Sequence, residues 1–112
     1  MPPAEPNPVY PANLTVAIGA NQSIAIGGDS STTVQANQVM TVAKDLTVTV
    51  GKNVVLQAGD SISFVCGGAS LTLKKDGTIV IKGKDITIDA SGKLNAKASG
   101  DLGVKGSKIL NN

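Results

Sequence analysis

From Leu14 onward the apolar and polar positions fall into blocks of eight. Seven consecutive blocks read LTVAIGAN (14–21), QSIAIGGD (22–29), SSTTVQAN (30–37), QVMTVAKD (38–45), LTVTVGKN (46–53), VVLQAGDS (54–61) and ISFVCGGA (62–69), with no gap between them. The third position is Val16, Ile24, Thr32, Met40, Val48, Leu56 and Phe64, and the fifth is Ile18, Ile26, Val34, Val42, Val50, Ala58 and Cys66. Positions two apart leave the same face of a strand, so a single apolar stripe runs along each block. The sixth position is Gly19, Gly27, Gln35, Ala43, Gly51, Gly59 and Gly67, and the eighth is Asn or Asp in the first five blocks. Gly followed by a polar pair is corner chemistry, because Gly permits positive φ and Asn or Asp tolerates it. Each octad therefore predicts a short strand closed by a tight corner. An apolar spacing of two and the dominance of β-branched residues exclude helix.

The pattern changes after Ala69. Leu71 and Leu73 shift the apolar parity by one residue, as do Ile79 and Ile81, and Lys74-Lys75-Asp76-Gly77 between them reads as a turn. Ile86/Ile88, Leu94/Ala96 and Leu102/Val104 then return to the eight-residue spacing. The parity slip is read as a local change in how the strands wind, in preference to a small independent hairpin. In the last blocks the inward residues shrink to Ala90, Ala96, Ala98 and Gly106, as expected of a narrowing shaft.

A strand of about five residues cannot bury one face by itself. The residues expected to line the core are Val16, Ile18, Ile24, Ile26, Val34, Met40, Val42, Val48, Val50, Leu56, Phe64 and Cys66. Two inward residues per octad give a very thin core for one chain, whereas three chains wound about a common axis would close it. They would also leave no free sheet edge along the shaft. The fold class expected is all-β: an intertwined trimeric β-helix, a triangular prism built from eight-residue repeats. Composition agrees. The 112 residues contain no His, Trp or Arg, one Phe and one Tyr, so the aromatic area that dominates most cores is missing. Repetition of small branched residues takes its place.

All five prolines lie in Met1–Asn13, which reads as an extended linker or arm joining the repeat to a larger upstream part. The expected organisation is thus an arm over 1–13, an octad shaft over 14–69, and a continued β-helix over 70–112 that changes register and tapers to the tip. Charge is uneven: residues 1–69 carry two Lys against four acidic side chains, residues 70–112 eight Lys against four Asp. This suits a solvated surface, or a basic end meeting an anionic membrane. Nucleic acid is not expected as a partner, because neither Arg for bidentate base contacts nor an aromatic set for stacking is present. No signal peptide and no long apolar run is found, so export is expected to depend on other components.

Candidate chemistry is sparse. Without His the usual general base is missing. Cys66 occupies an apolar repeat position and reads as a small buried hydrophobe rather than a nucleophile. Asn21, Asp29, Asn37, Asp45 and Asn53 recur every eight residues. Turn propensity explains them, with a cation ladder as the other reading. The glycines lack the following Lys-Ser/Thr of a phosphate loop. No catalytic residue, cofactor or metal site is expected.

The octads together with GGASLTLKKDGTIVIKGKDITIDASGKLNAKASG (residues 67–100) resemble the C-terminal β-helix of VgrG, the spike protein of type VI secretion systems, and are more distantly similar to the central spike needle of contractile-tailed phages. The resemblance covers residues 14–109. The Val-Gly dipeptide of the family stands here as Ile18-Gly19, Ile26-Gly27 and Val50-Gly51, and is relaxed at Val34-Gln35, Val42-Ala43, Ala58-Gly59 and Cys66-Gly67. The resemblance implies a homotrimer assembled in the bacterial cytoplasm and then driven across the envelope. It implies a PAAR-type tip protein and effectors at the C-terminal end, and a transient contact with the target membrane. Val104, Ile109 and Leu110 are the residues expected to meet the tip protein. The His-x-His metal site of some phage needles has no counterpart, since His is missing.

Two other classes were weighed. A receptor-binding fibre or adhesin shaft would be expected to show exposed aromatics or a distal head. A left-handed β-helix acyltransferase would repeat every six residues and use a His base. Regular outward Thr ranks, the mark of an ice-binding solenoid, do not continue beyond Thr47 and Thr49. The stripe assignment makes a direct prediction. Val48→Asp places charges without partners on the inward face, where desolvation costs several kcal/mol per ion, so the variant should fail to assemble on a gel-filtration column. Recovery of a stable trimer would remove Val48 from the inward face.

Overall fold

The computed structural model describes residues 12–112. The Pro-rich arm expected over 1–13 therefore lies, apart from Ala12 and Asn13, outside the described residues. Among the described residues the structure is all-β, with no helix and one open sheet. The strands are β1 (Ser61–Cys66), β2 (Ala69–Lys74) and β3 (Ile79–Lys82), hydrogen-bonded in the antiparallel order β1-β2-β3. The chain divides into two units, Met1–Thr47 and Val48–Asn112.

In the first unit the backbone bends at Gly19-Ala20, Gly27-Gly28, Gln35-Ala36 and Ala43-Lys44. These are the sixth and seventh positions of four successive octads. In the second unit it bends at Gly51-Lys52, Gly59-Asp60, Ser91-Gly92, Ser99-Gly100 and Ser107, again in those slots. Outside Ser61–Lys82 the segments between these bends have no ladder partner among the described residues.

The corners differ from the sequence expectation in one respect. Positive φ among the described residues occurs only at Gly67 (55°) and Gly77 (92°). Gly19, Gly27, Gly51 and Gly59 lie outside that region, and the bends at Gln35-Ala36 and Ala43-Lys44 form with no Gly at all. A bend that redirects the chain without reversing it stays within backbone space open to every residue.

Two corners do reverse the chain, and there the glycines are required. Between the paired residues Cys66 and Ala69 stands the two-residue loop Gly67-Gly68, with positive φ at its first position only, the pattern of a type II′ hairpin turn. The second reversal is Lys74–Thr78. Gly77 N–H donates to the Lys74 carbonyl at 3.0 Å, and Lys74 N–H donates to the Thr78 carbonyl at 3.0 Å. Gly77 supplies the left-handed residue of a three-residue loop with a G1 bulge.

These reversals account for the parity slip. The pairing sets Phe64 opposite Leu71 and Ile62 opposite Leu73, so even positions on β1 share a face with odd positions on β2. Leu71 pairs with Ile81 and Leu73 with Ile79, which keeps odd positions on that face through β3. The slip near residues 70–85 is thus a three-stranded antiparallel meander and not a change of winding, because a two-residue loop flips the parity of the facing set. The meander straddles the boundary expected at 69/70. The next bend comes one residue late, at Lys84-Asp85, and returns Ile86 and Ile88 to even positions. The chain folds back closely there: a Cβ on Gly83 would lie 3.3 Å from Cγ1 of Ile86.

An L-residue other than Gly is disfavoured by roughly 1–2 kcal/mol in left-handed backbone. Gly77→Ala should therefore destabilise the meander by about that much in chemical denaturation, and Gly77→Asn by less, because Asn tolerates positive φ. Equal stability of all three proteins would refute the G1 geometry.

Candidate assembly surface

The pairing sorts the sheet into two unlike faces. One carries the cross-strand rows Ile62–Leu73–Ile79 and Phe64–Leu71–Ile81 and the pair Cys66–Ala69. The other carries Ser63–Thr72–Val80, Val65–Ser70–Lys82 and the pair Ser61–Lys74. The first face is wholly apolar, and none of its residues is fully buried. Ile62, Leu71 and Leu73 are half-buried, Phe64, Cys66, Ile79 and Ile81 exposed. An open groove of about 750 Å³ lies at this end of the sheet, lined by Phe64, Leu71 and Ile81 of this face, by Val65 and Lys82 of the other, and by Ile86 beyond β3.

The octad segments repeat the situation. Val16, Ile18, Ile24, Ile26, Val34, Met40, Val42, Val48, Val50, Leu56, Phe64 and Cys66 were expected to line a core, and in the single chain all are exposed. Exposure nevertheless follows the slot. Fifth-position residues are the most covered, from 45% at Val42 to 54% at Ile26, while third-position Ile24 and Val48 stand at 72% and 71%. Second-position Val39 and Val55 reach 86% and 83%. The fifth position immediately precedes the bend, so the adjoining corner covers it more than it covers the third.

No described residue is buried. The contiguous apolar face of the sheet is a candidate interaction surface.

Val104 precedes the bend at Ser107, and Ile109 and Leu110 follow it; all three are exposed. Phe64 and Cys66 are the two predicted residues that the sheet brings onto one face. Ile62, Ala69, Leu71, Leu73, Ile79 and Ile81 complete that face and stand outside the predicted core set, although the parity slip marked most of them.

Electrostatic contacts are few. Lys75 Nζ lies 3.4 Å from Asp60 Oδ1, but both side chains are exposed, and such a pair contributes little. The Lys75 N–H donates to the Asp60 carbonyl at 3.0 Å, which ties the turn to the residue before β1. Asp76 Oδ1 accepts a hydrogen bond from the Thr78 N–H at 3.0 Å, and this bond, with a further one from the Thr78 side chain, holds the carboxyl below its ordinary value of 3.8. Among the described residues no group of three or more His, Cys, Asp or Glu could hold a metal ion, and no helix is long and apolar enough to cross a membrane. Comparison with models of known protein families finds no match, and comparison with curated proteins finds none at the significance required.

The Asp76 bond has a testable pH signature. Because the folded value is lowered, its contribution is present above the unfolded value near 3.8 and is lost as pH falls through the lowered folded value. Asp76→Ala should lower stability at pH 7 and make no difference once both forms are protonated. A gap between the two proteins that persists unchanged under strong acid would disprove this role.

Proposed function

We propose that the chain is the shaft and tip of a rigid homotrimeric spike, with a structural rather than a catalytic role. The observation that carries this reading is an apolar stripe that recurs every eight residues and of which no described member is buried. Two further copies supply both the missing apolar partners and the missing backbone partners of the unpaired segments. Three chains winding as an intertwined β-helix would form a triangular prism in which each apolar residue faces the common axis.

The resemblance to the VgrG needle gives this object its work. Sheath contraction would push it through a target envelope, carrying a PAAR-type tip protein and effectors at its C-terminal end. Stiffness serves that task, and interchain backbone bonds at every octad would supply it. The excess of Lys in residues 70–112 suits passage past anionic headgroups. A phage needle would use the same architecture. A fibre or adhesin is less well supported, for no described aromatic lies outside the apolar face of the sheet.

Mixing the purified chain with a PAAR-repeat protein tests the reading. The expected product holds one tip protein per three chains, and Ile109→Asp combined with Leu110→Asp should abolish it while leaving the mass of the spike unchanged. An assembly that binds no PAAR-repeat protein, or one that binds equally well with both substitutions, would overturn the tip assignment.

A further inference from the structure

A shaft of octads that share one slot pattern has a problem of register. Chains shifted against one another by one octad still match strand to strand and corner to corner, so most of the interface survives the slip. Register is weakly specified wherever the pattern repeats. One segment breaks the repetition. β1, β2 and β3 over Ser61–Lys82 carry the only ladder hydrogen bonds among the described residues, and they do so within one chain.

We infer that this meander is the assembly nucleus and register key of the spike: its apolar face docks on the same face of two further copies before the octads wind together. The inference rests on the trimeric reading above. Two short loops close the meander, so its contacts are local and form quickly. Three strands with an apolar face reach the size at which a sheet persists on its own, whereas a single octad segment does not. The face offers two unlike rows, Ile62–Leu73–Ile79 and Phe64–Leu71–Ile81, with only small Ala69 and Cys66 beyond them. A slip of one octad sets this bulky patch against the bends and polar slots of a neighbouring block, and the lone Phe loses its partners. The occupant is a second copy of this chain. The uncovered apolar stripe continues from this face into the octads on both sides of the meander, and the same stripe on a second copy is its apolar complement.

The test replaces residues 61–84 with a second copy of residues 29–52, which keeps both chain length and octad phase. A spin label at Thr49→Cys, in a Cys66→Ala background, reports the distances between chains. The parent should give one narrow distance. The replaced protein should remain trimeric and show additional longer distances, because each slipped octad adds about 14 Å along the axis, three strand spacings. A single narrow distance in the replaced trimer would overturn the register role and leave the trimeric reading intact. A parent that sediments as a monomer would overturn both. Should the replaced protein not assemble, pulsed hydrogen exchange during refolding of the parent decides: amides of β1–β3 should gain protection before those of residues 14–58, and the reverse order would dismiss the nucleus.

Discussion

Ordering a backbone opposes folding by roughly 1–2 kcal/mol per residue, and burial of apolar surface is the main term that offsets it. No described residue of this chain is buried, and its most covered residues are only half so, on the short sheet. Outside the meander the octad segments have no ladder partners among the described residues either, and backbone N–H and C=O groups must be paired once they are shielded from water. Both deficits repeat every eight residues, and in the proposed trimer identical neighbours along the whole length would remove both together. On that proposal, the coupling of fold to assembly is the constraint from which the other features follow.

Corner geometry is the first of these. A chain sharing its core with two others, as proposed, would have to change direction after each short strand without folding back on itself. Shallow bends in the sixth and seventh slots would do so with ordinary φ, so that Gln35-Ala36 and Ala43-Lys44 serve as well as Gly51-Lys52. At Gly67-Gly68 and Lys75-Asp76-Gly77 the same slots are used for true reversals, with positive φ at Gly67 and Gly77. The eight-residue phase thus runs through the meander, and one late bend at Lys84-Asp85 restores the facing set beyond it.

Much of this was legible in the residues. The period of two within each block and the period of eight between blocks come from side-chain alternation and corner chemistry, both local properties, so the absence of helix and the position of most bends followed directly. The meander was harder to read. Its signals were the odd step from Phe64 to Leu71 and the KKDGT turn, but the octad phase continues through it and favoured a reading as uninterrupted shaft. Gly at a corner does not by itself imply positive φ, since a sequence does not distinguish a bend from a reversal when both fall in the same slot. The missing members of the apolar face, Leu71, Leu73, Ile79 and Ile81, follow only from the pairing register, which is a relation between strands rather than a property of either.

The most direct test of a shared core is the mass of the protein in solution. Sedimentation equilibrium of the intact chain should give three times the 11.2 kDa of one copy, unchanged on dilution through the micromolar range. A mass of one copy, with a stable circular dichroism signal for β-structure, would contradict the account, for the chain would then hold its fold without the neighbours on which every part of it is argued to depend.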